Sequence, residues 1–145
     1  MASIETVVSG SAKGFAQEIA VGSHRLTADE PLAAGGTDTG PGPYDLLIAA
    51  LGACTSMTLQ MYARRKGWPL ESATVRLTHK KIHALDEDEV PAVEVRLDHI
   101  DRELELEGPL DDEQRARLAE IADRCPVHRT LEQGVTVSTA LKPLE

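Results

Sequence analysis

Hydrophobic and polar positions alternate with a period of two in several parts of the chain, which predicts β-strands. Within residues 3–30 the alternating stretches are separated by glycine and serine, which predicts a small antiparallel meander. Residues 71–82 and 93–97 alternate on either side of an acidic run that starts at Asp86, and they predict a long hairpin with one wet face. Leu104 and Leu106 continue this alternation, and Val135, Val137 and Thr139 predict a closing strand.

One long helix is predicted from Pro43 to Lys66, after a glycine-rich loop at residues 35–42. Proline suits the first helical position, and Asp45 places a carboxylate in the first turn, where the helix dipole favours it. Three basic residues fill the last turn, and Gly67 follows them. The helix should therefore have about 24 residues and be roughly 36 Å long.

The N-terminal half of this helix, residues 46–51, is apolar on all sides, which predicts that it is buried all round. Gly52 follows directly, although glycine in a helix interior costs about 1 kcal/mol relative to alanine. We expect Gly52 to mark close packing or a bend. Helical spacing returns at residues 111–124, and a helical turn is predicted between Pro126 and Gly134. The pattern predicts an α+β protein with one domain spanning residues 1–145.

Composition narrows the classes of function. Aromatic residues make up only 3% of the chain, so the core must be built from aliphatic side chains. The net charge of -9 repels phosphate backbones, which argues against a nucleic-acid partner. No signal peptide is recognisable, and the longest apolar run, residues 46–54, is too short to cross a bilayer. We expect a soluble cytoplasmic protein without a membrane partner.

Cys54, in the middle of the long helix, is the first candidate for chemistry. It can be a small apolar residue that fills a helix interface, or it can be a nucleophile. The start of the helix is too far away to activate it, so a thiolate near neutral pH would need a cation from elsewhere in the chain. The candidates for that cation are His24, Arg25, His128 and Arg129.

Cys125, the only other cysteine, lies in the motif CPVHRTLEQG. It can be a structural residue at a helix end, or a resolving thiol that condenses with an oxidised Cys54. The Cys-Pro-Val-His spacing also leaves a zinc pair open, although two spaced ligands are a weak signal. In a reducing compartment, free thiols or a transient redox pair are favoured over a structural disulfide.

Other polar residues give weaker signals. His79 and His83 would lie about 13 Å apart along a strand, too far to share an ion, so we expect solvated or hydrogen-bonded side chains. Asp29, Glu30 and Asp38 are loop carboxylates, and nothing in their spacing selects an acid–base role. We expect no metal and no cofactor.

The sequence GPGPYDLLIAALGACTSMTLQMYARRKGWPLE, followed by CPVHRTLEQG, resembles the osmotically inducible protein C family (OsmC/Ohr-like). It looks most similar to the branch that is also found fused to α/β-hydrolase domains. The resemblance covers nearly the whole chain and is weakest before His24. It implies an intertwined homodimer in which the long central helix packs against antiparallel sheets.

The resemblance also implies a thiol peroxidase that acts on organic hydroperoxides in oxidative-stress defence. Cys54 would be the peroxidatic thiol and Cys125 the resolving one, and a dithiol reductant, lipoylated in relatives, would restore both. From its place in the N-terminal strands, Arg25 is our expected activating cation. The alternative function is a non-catalytic module that binds a small thiol, an electrophile or an apolar ligand in the dimer groove.

One departure from the family pattern concerns the start of the helix. Well-studied peroxidases of this family have a glutamate ten residues before the reactive cysteine, where this chain has Tyr44. Asp45 stands beside that position, but one residue along a helix rotates the side chain by about 100°. We expect Tyr44, Asp45 and His128 on the binding side of the site.

Overall fold

The computed structural model of the chain describes residues 4–86 and 93–143, with side chains described outside residues 82–96. Its contacts divide the chain into two compact units, Met1–Ala49 and Ala50–Glu145. The first contains three antiparallel strands, β1 (Thr6–Ser9), β2 (Gln17–Val21) and β3 (His24–Ala28), in that order across the sheet. The predicted meander is confirmed.

The loop between β3 and the long helix is organised by one buried carboxylate, Asp29, which is 2% exposed. Its Oδ2 atom accepts hydrogen bonds from the hydroxyl and backbone N–H groups of both Thr37 and Thr39, and its Oδ1 atom accepts one from the Glu30 N–H. Gly36 lies so close to the Glu30 carbonyl that no side chain fits there. Asp29 therefore has a clear structural role in holding the loop.

The long helix, α1, spans Pro43–Lys66, so both of its predicted ends are confirmed. Asp45 accepts a hydrogen bond from the Gly42 N–H at 3.0 Å, which satisfies one backbone donor at the start of the helix. Gly67 follows in the left-handed conformation, with φ of 71°.

The expectation that the N-terminal half of α1 is buried all round is wrong for this chain. Its first buried residue is Leu51, and Leu47 is 41% exposed. An all-apolar sequence shows that this part of the helix needs to be covered by other residues. The described part of a single chain does not cover it. Two methionines farther along, Met57 and Met61, are exposed as well.

By length and composition alone, the whole of α1 is long and apolar enough to cross a membrane, whereas the uninterrupted apolar run at residues 46–54 is too short to do so. Core helices of soluble proteins pass the same test, so this single helix is weak evidence of a membrane span.

The second unit contains a long antiparallel hairpin of β4 (Ser72–Asp86) and β5 (Val93–Glu107). The half-buried row on β4 contains Ala73, Val75 and Leu77, so the predicted wet and dry faces are confirmed in the described part. Leu77 pairs with Arg102 across the two strands. The acidic run predicted at the turn lies, beyond Asp86, outside the described residues.

Two helices complete this unit: α2 (Asp112–Ala122) and α3 (Pro126–Gln133). A capping box between Asp111 and Gln114 starts α2, because each side chain accepts a hydrogen bond from the other's backbone. The hydrophobic core, mostly aliphatic, forms between α1 and α2, and its fully buried centre is Leu59 and Leu118. Its other buried members are Tyr62, Ala63, Leu110, Ile121 and Ala122.

The predicted closing strand is wrong for the chain as described. Residues 134–143 have no regular secondary structure, and Val135 and Val137 are 69% and 86% exposed. Alternation shows which side chains would share a face, but a strand also needs a neighbour that completes its hydrogen bonds. The described residues of this chain offer that segment no such neighbour.

Candidate functional site

The two cysteines, distant in sequence, meet in the second unit. Cys54 lies on α1 and is half-buried, whereas Cys125 is fully buried at the residue that precedes α3. Both are free thiols, and they lie close enough together for each to shift the pKa of the other. The structure thus brings together the pair that the sequence suggested.

Local sequence explains how Cys125 reaches this position. Helix α2 ends at Ala122, and Pro126 occupies the start of α3, so the chain must turn between them. Cys125 makes that turn in an extended conformation, with φ of -56° and ψ of 131°. Its carbonyl accepts a hydrogen bond from the Arg129 N–H at 3.1 Å, which begins the new helix.

The Cys125 sulfur lies beside the first backbone N–H groups of α3. Burial raises the pKa of this thiol, but contact with Cys54, the N–H groups of His128 and Val127 and the Thr55 hydroxyl outweigh burial. The pKa of Cys125 is therefore held below its ordinary value. The N–H groups approach too loosely to form a regular helix cap, but their dipoles still favour a thiolate.

Cys54 shows the opposite behaviour. Burial raises the pKa of its thiol, and the hydrogen bond and charge interaction with Cys125 raise it further. The Val127 N–H and the Thr58 hydroxyl act in the other direction but are weaker. Because the two thiols lie close together, their charges interact, and a thiolate at Cys125 disfavours a thiolate at Cys54.

Thr55 and Arg102 are functional candidates that the sequence interpretation missed. Arg102 donates through Nη1 to Thr55 Oγ1 at 3.1 Å, and Thr55 in turn contacts the Cys125 thiol. Arg102 stands two residues before Leu104 in the alternating row, so its sequence position already indicated a charged residue on the apolar face of β5. A charge in such a place requires partners, and that was the available signal.

The predicted activating cation, Arg25, lies in the first unit. Its Nη1 atom donates at 3.0 Å to the carbonyls of Gly22, in the β2–β3 turn, and of His24, the first residue of β3. Its role towards Cys54 stays a prediction. Of the other cation candidates, His24 and Arg129 are exposed.

The three predicted binding residues have different surroundings. Tyr44 is 55% exposed in the first turn of α1, and the Asp45 carboxylate is engaged with the Gly42 N–H. The His128 side chain pairs with Glu132 one turn along α3, so His128 approaches Cys125 through its backbone. Their binding roles stay predictions.

No group of three metal-binding side chains occurs among the residues with described positions. His79 bonds through Nε2 to Asp98 Oδ1 at 2.9 Å, which confirms a hydrogen-bonded strand residue. The side chain of His83 lies outside the described residues.

A long apolar helix, a two-stranded hairpin and two short helices that place a pair of free thiols together define an α+β protein with a dithiol site. The chain belongs to the OsmC-like protein family, whose model matches residues 36–140. A search of curated proteins gives no match.

Solved structures show the same fold. An OsmC-like protein from Mycoplasma pneumoniae has a TM-score of 0.69 and 17% identity, with 90% of this chain and 88% of that chain covered. The organic hydroperoxide resistance protein OsmC from Legionella pneumophila has a TM-score of 0.64 and 15% identity, with 90% of each chain covered. An organic hydroperoxide resistance protein from Elizabethkingia anophelis has a TM-score of 0.64 and 18% identity, with 90% and 89% covered.

Proposed function

We propose that the chain is a thiol-dependent peroxidase that reduces organic hydroperoxides through the Cys54–Cys125 pair. The observation that carries this proposal is the contact between the two thiols within one unit of the chain. Membership of the OsmC-like family supports it, as do the names of two of the structural relatives. Identities below 20% support the fold and leave the reaction to be tested.

The proposed reaction has three balanced steps. The Cys54 thiolate attacks the terminal oxygen of the hydroperoxide, the O–O bond breaks, and the alkoxide takes up a proton to leave as an alcohol. The Cys125 thiol then attacks the Cys54 sulfenic acid, so that a disulfide forms and water leaves. A dithiol reductant returns both cysteines to thiols by exchange and is itself oxidised to a disulfide.

The first step needs Cys54 as a thiolate, and its raised pKa opposes this. A cation must therefore stabilise the charge when the hydroperoxide binds. Arg25 is our candidate, because its planar fork can contact a thiolate and a peroxide oxygen together. Recruiting it would require it to exchange its present hydrogen bonds to two carbonyls.

Consumption of cumene hydroperoxide with dihydrolipoamide as the reductant tests the proposal. We expect turnover in the wild-type protein and none in Cys54→Ser. Cys125→Ser should carry out one oxidation and then accumulate a sulfenic acid that dimedone traps at Cys54. Unchanged turnover in Cys54→Ser would overturn the proposal.

A second candidate is a non-catalytic module that binds a small thiol, an electrophile or an apolar ligand. Tyr44 favours it, because a phenol cannot replace the negative partner that relatives provide at that position near neutral pH. The raised pKa of Cys54 favours it as well. Alkylation of Cys54 without any hydroperoxide consumption would select this candidate over the peroxidase.

We also propose that two copies of this one OsmC-like domain, residues 1–145, form a homodimer. The support is the uncovered apolar surface of α1, which includes Leu47, Met57 and Met61. Monomeric proteins rarely leave large contiguous apolar surfaces in water. A second copy would also cover apolar surface of α1, the helix whose length and composition resemble those of a membrane span.

We place the protein in the cytoplasm, where a reducing environment keeps Cys54 and Cys125 available as thiols. Fractionation of cells that produce the native protein checks this. Recovery of the protein in the membrane pellet would contradict it.

A further inference from the structure

Arg102 is a charged residue in an apolar row. On β5 it lies between Ile100 and Leu104, which are half-buried on the same face, and its own side chain is only 12% exposed. Removing a guanidinium from water is unfavourable unless its donors are used. The position therefore requires specific partners.

Both ends of the guanidinium fork are used. Nη1 donates to Thr55 Oγ1 at 3.1 Å, and Nη2 donates to Asp123 Oδ1 at 2.9 Å. Thr55 directly follows Cys54 on α1, and Asp123 lies two residues before Cys125 in the turn after α2. Arg102 thus joins the helix that carries one thiol to the turn that carries the other.

Thr55 extends this contact to the sulfur itself. It is fully buried, its hydroxyl donates to the Leu51 carbonyl at 2.7 Å, and it also contacts the Cys125 thiol. A hydroxyl has one proton and two acceptor lone pairs, so Arg102 occupies one lone pair and fixes where the oxygen points. Loss of Arg102 would free both the oxygen and the turn.

We propose that Arg102 is a positioning residue for the Cys54–Cys125 pair, and that its contacts to Thr55 and Asp123 hold the Cys125 turn against α1 so that the two thiols readily close into a disulfide. The inference rests on the proposed redox role of the pair. It does not depend on the identity of the oxidising substrate.

Thiol–disulfide exchange with dithiothreitol measures this effect without hydroperoxide. Oxidised dithiothreitol accepts two electrons and two protons from the protein thiols, whose sulfurs bond to each other, and becomes a dithiol. The equilibrium constant of that exchange rises when the folded protein holds its thiols together. We expect Arg102→Met to lower it about tenfold, the order expected for one charge-assisted hydrogen bond.

Matched variants separate positioning from general loss of structure. Arg76→Met removes an exposed arginine from the paired strand, where it forms an ion pair with Glu105, and should leave the constant unchanged. Arg102→Lys keeps the charge but has a single point of attachment, so it should restore part of the loss. Thr55→Val removes the hydroxyl at constant shape and should lower the constant as well.

A second readout is the pKa of Cys125, which a purely structural arginine would not move. Arg102 places a positive charge next to Thr55, which in turn contacts the Cys125 thiol, so Arg102→Met should raise this pKa. The titratable groups nearest to Cys125 in contact or in sequence are Cys54 from α1, Asp123 and Arg124 from the preceding turn, and His128, Arg129 and Glu132 from α3. Thiolate absorbance across pH in Cys54→Ser, with and without Arg102→Met, gives the shift.

The outcomes are distinguishable. A folded Arg102→Met protein with the same exchange constant and the same Cys125 pKa as Arg76→Met would overturn the inference, and so would a wild-type protein that forms no Cys54–Cys125 disulfide. If Arg102→Met does not fold, the exchange constants of Thr55→Val and Asp123→Asn test the inference instead. Wild-type exchange constants in both variants would overturn the inference. Absence of peroxidase turnover with an Arg102-dependent exchange constant would reject the peroxidase and keep the positioning role.

Discussion

The Cδ1 atom of Leu77 lies so close to Gly52 that a Cβ atom built on Gly52 would come within 2.7 Å of it, too close for van der Waals contact. Gly52 is therefore a point of close packing between α1 and β4, as the sequence suggested. The approach brings the helix turn that contains Cys54 down onto the sheet. It also places Thr55, one turn along, within reach of Arg102.

Gly52→Ala should lower the free energy of unfolding by about 1 kcal/mol. Overpacking costs about 1–3 kcal/mol, and alanine recovers about 1 kcal/mol through its helix propensity. In a Leu77→Ala background the steric conflict disappears, so the same substitution should stabilise the protein. Urea unfolding at one protein concentration gives the comparison, and an equal effect in both backgrounds would refute the packing explanation.

Protonation of Asp29 should make the free energy of unfolding fall steeply at acid pH. Hydrogen bonds from the hydroxyl of Thr37, and then from Thr39, hold the pKa of its carboxyl far below the ordinary value. A depressed native pKa gives stability that is fully present above the ordinary carboxyl pKa of about 3.9 and is lost as pH falls towards the native value. Urea midpoints from about pH 6 to about pH 2 should therefore fall less steeply in Asp29→Asn.

Asp38→Asn is the control for that experiment. Asp38 lies in the same loop with an exposed side chain and φ of 54°, a conformation that asparagine tolerates. Its acid limb should match that of the wild-type protein. Identical limbs in all three proteins would show that Asp29 does not govern the acid response.

The pKa of Cys54 should fall when Cys125 is removed. Burial, the first cause of the raised pKa, persists in Cys125→Ala, but the hydrogen bond and charge interaction with Cys125 disappear. The fraction of Cys54 thiolate at neutral pH should therefore rise, and with it the rate of alkylation by iodoacetamide. The pH dependence of that rate gives the pKa, and a value equal to or above that of the wild-type protein would contradict the coupling.

Charged residues on the exposed surface of α1 should disrupt the proposed homodimer. Met57 and Met61 are 60% and 69% exposed and lie one turn apart, so both face the same side of the helix. The Met57→Glu, Met61→Glu double variant should be monomeric by light scattering, because an interface would have to bury two unpaired charges. Met57→Leu keeps the apolar surface and should remain dimeric.

A wild-type protein that is monomeric at micromolar concentration would reject the homodimer. The same conclusion would follow if the double glutamate variant had the mass of the wild-type assembly.

The sequence predicted those elements whose signals are local. Proline, an acidic first turn, a basic last turn and glycine define the ends of α1, because each acts on backbone groups within a few residues. The β4–β5 hairpin was predictable because alternation fixes which side chains share a face. Recognition of the family was likewise carried by two contiguous motifs around the cysteines.

The features that were missed depend on distant partners. Arg102 belongs to the site because Thr55 and Asp123 come to it from two other elements; the local alternation shows that Arg102 needs partners but not which residues they are. The closing strand at Val135 failed for the same reason, since strand formation requires a neighbour. Burial of the first half of α1 was likewise inferred from side chains alone, without the surface that has to cover them.

The cross-strand pairing of Leu77 with Arg102 makes the register of the hairpin part of the thiol site. Leu77 packs beneath Gly52, and its partner across the ladder binds Thr55 one helical turn away. One residue inserted into β5 between Ile100 and Arg102 would turn Arg102 to the wet face and bring its acidic neighbour, Asp101 or Glu103, towards the helix. The spacing of a strand that contains no cysteine thus governs whether two cysteines elsewhere in the chain can react with each other.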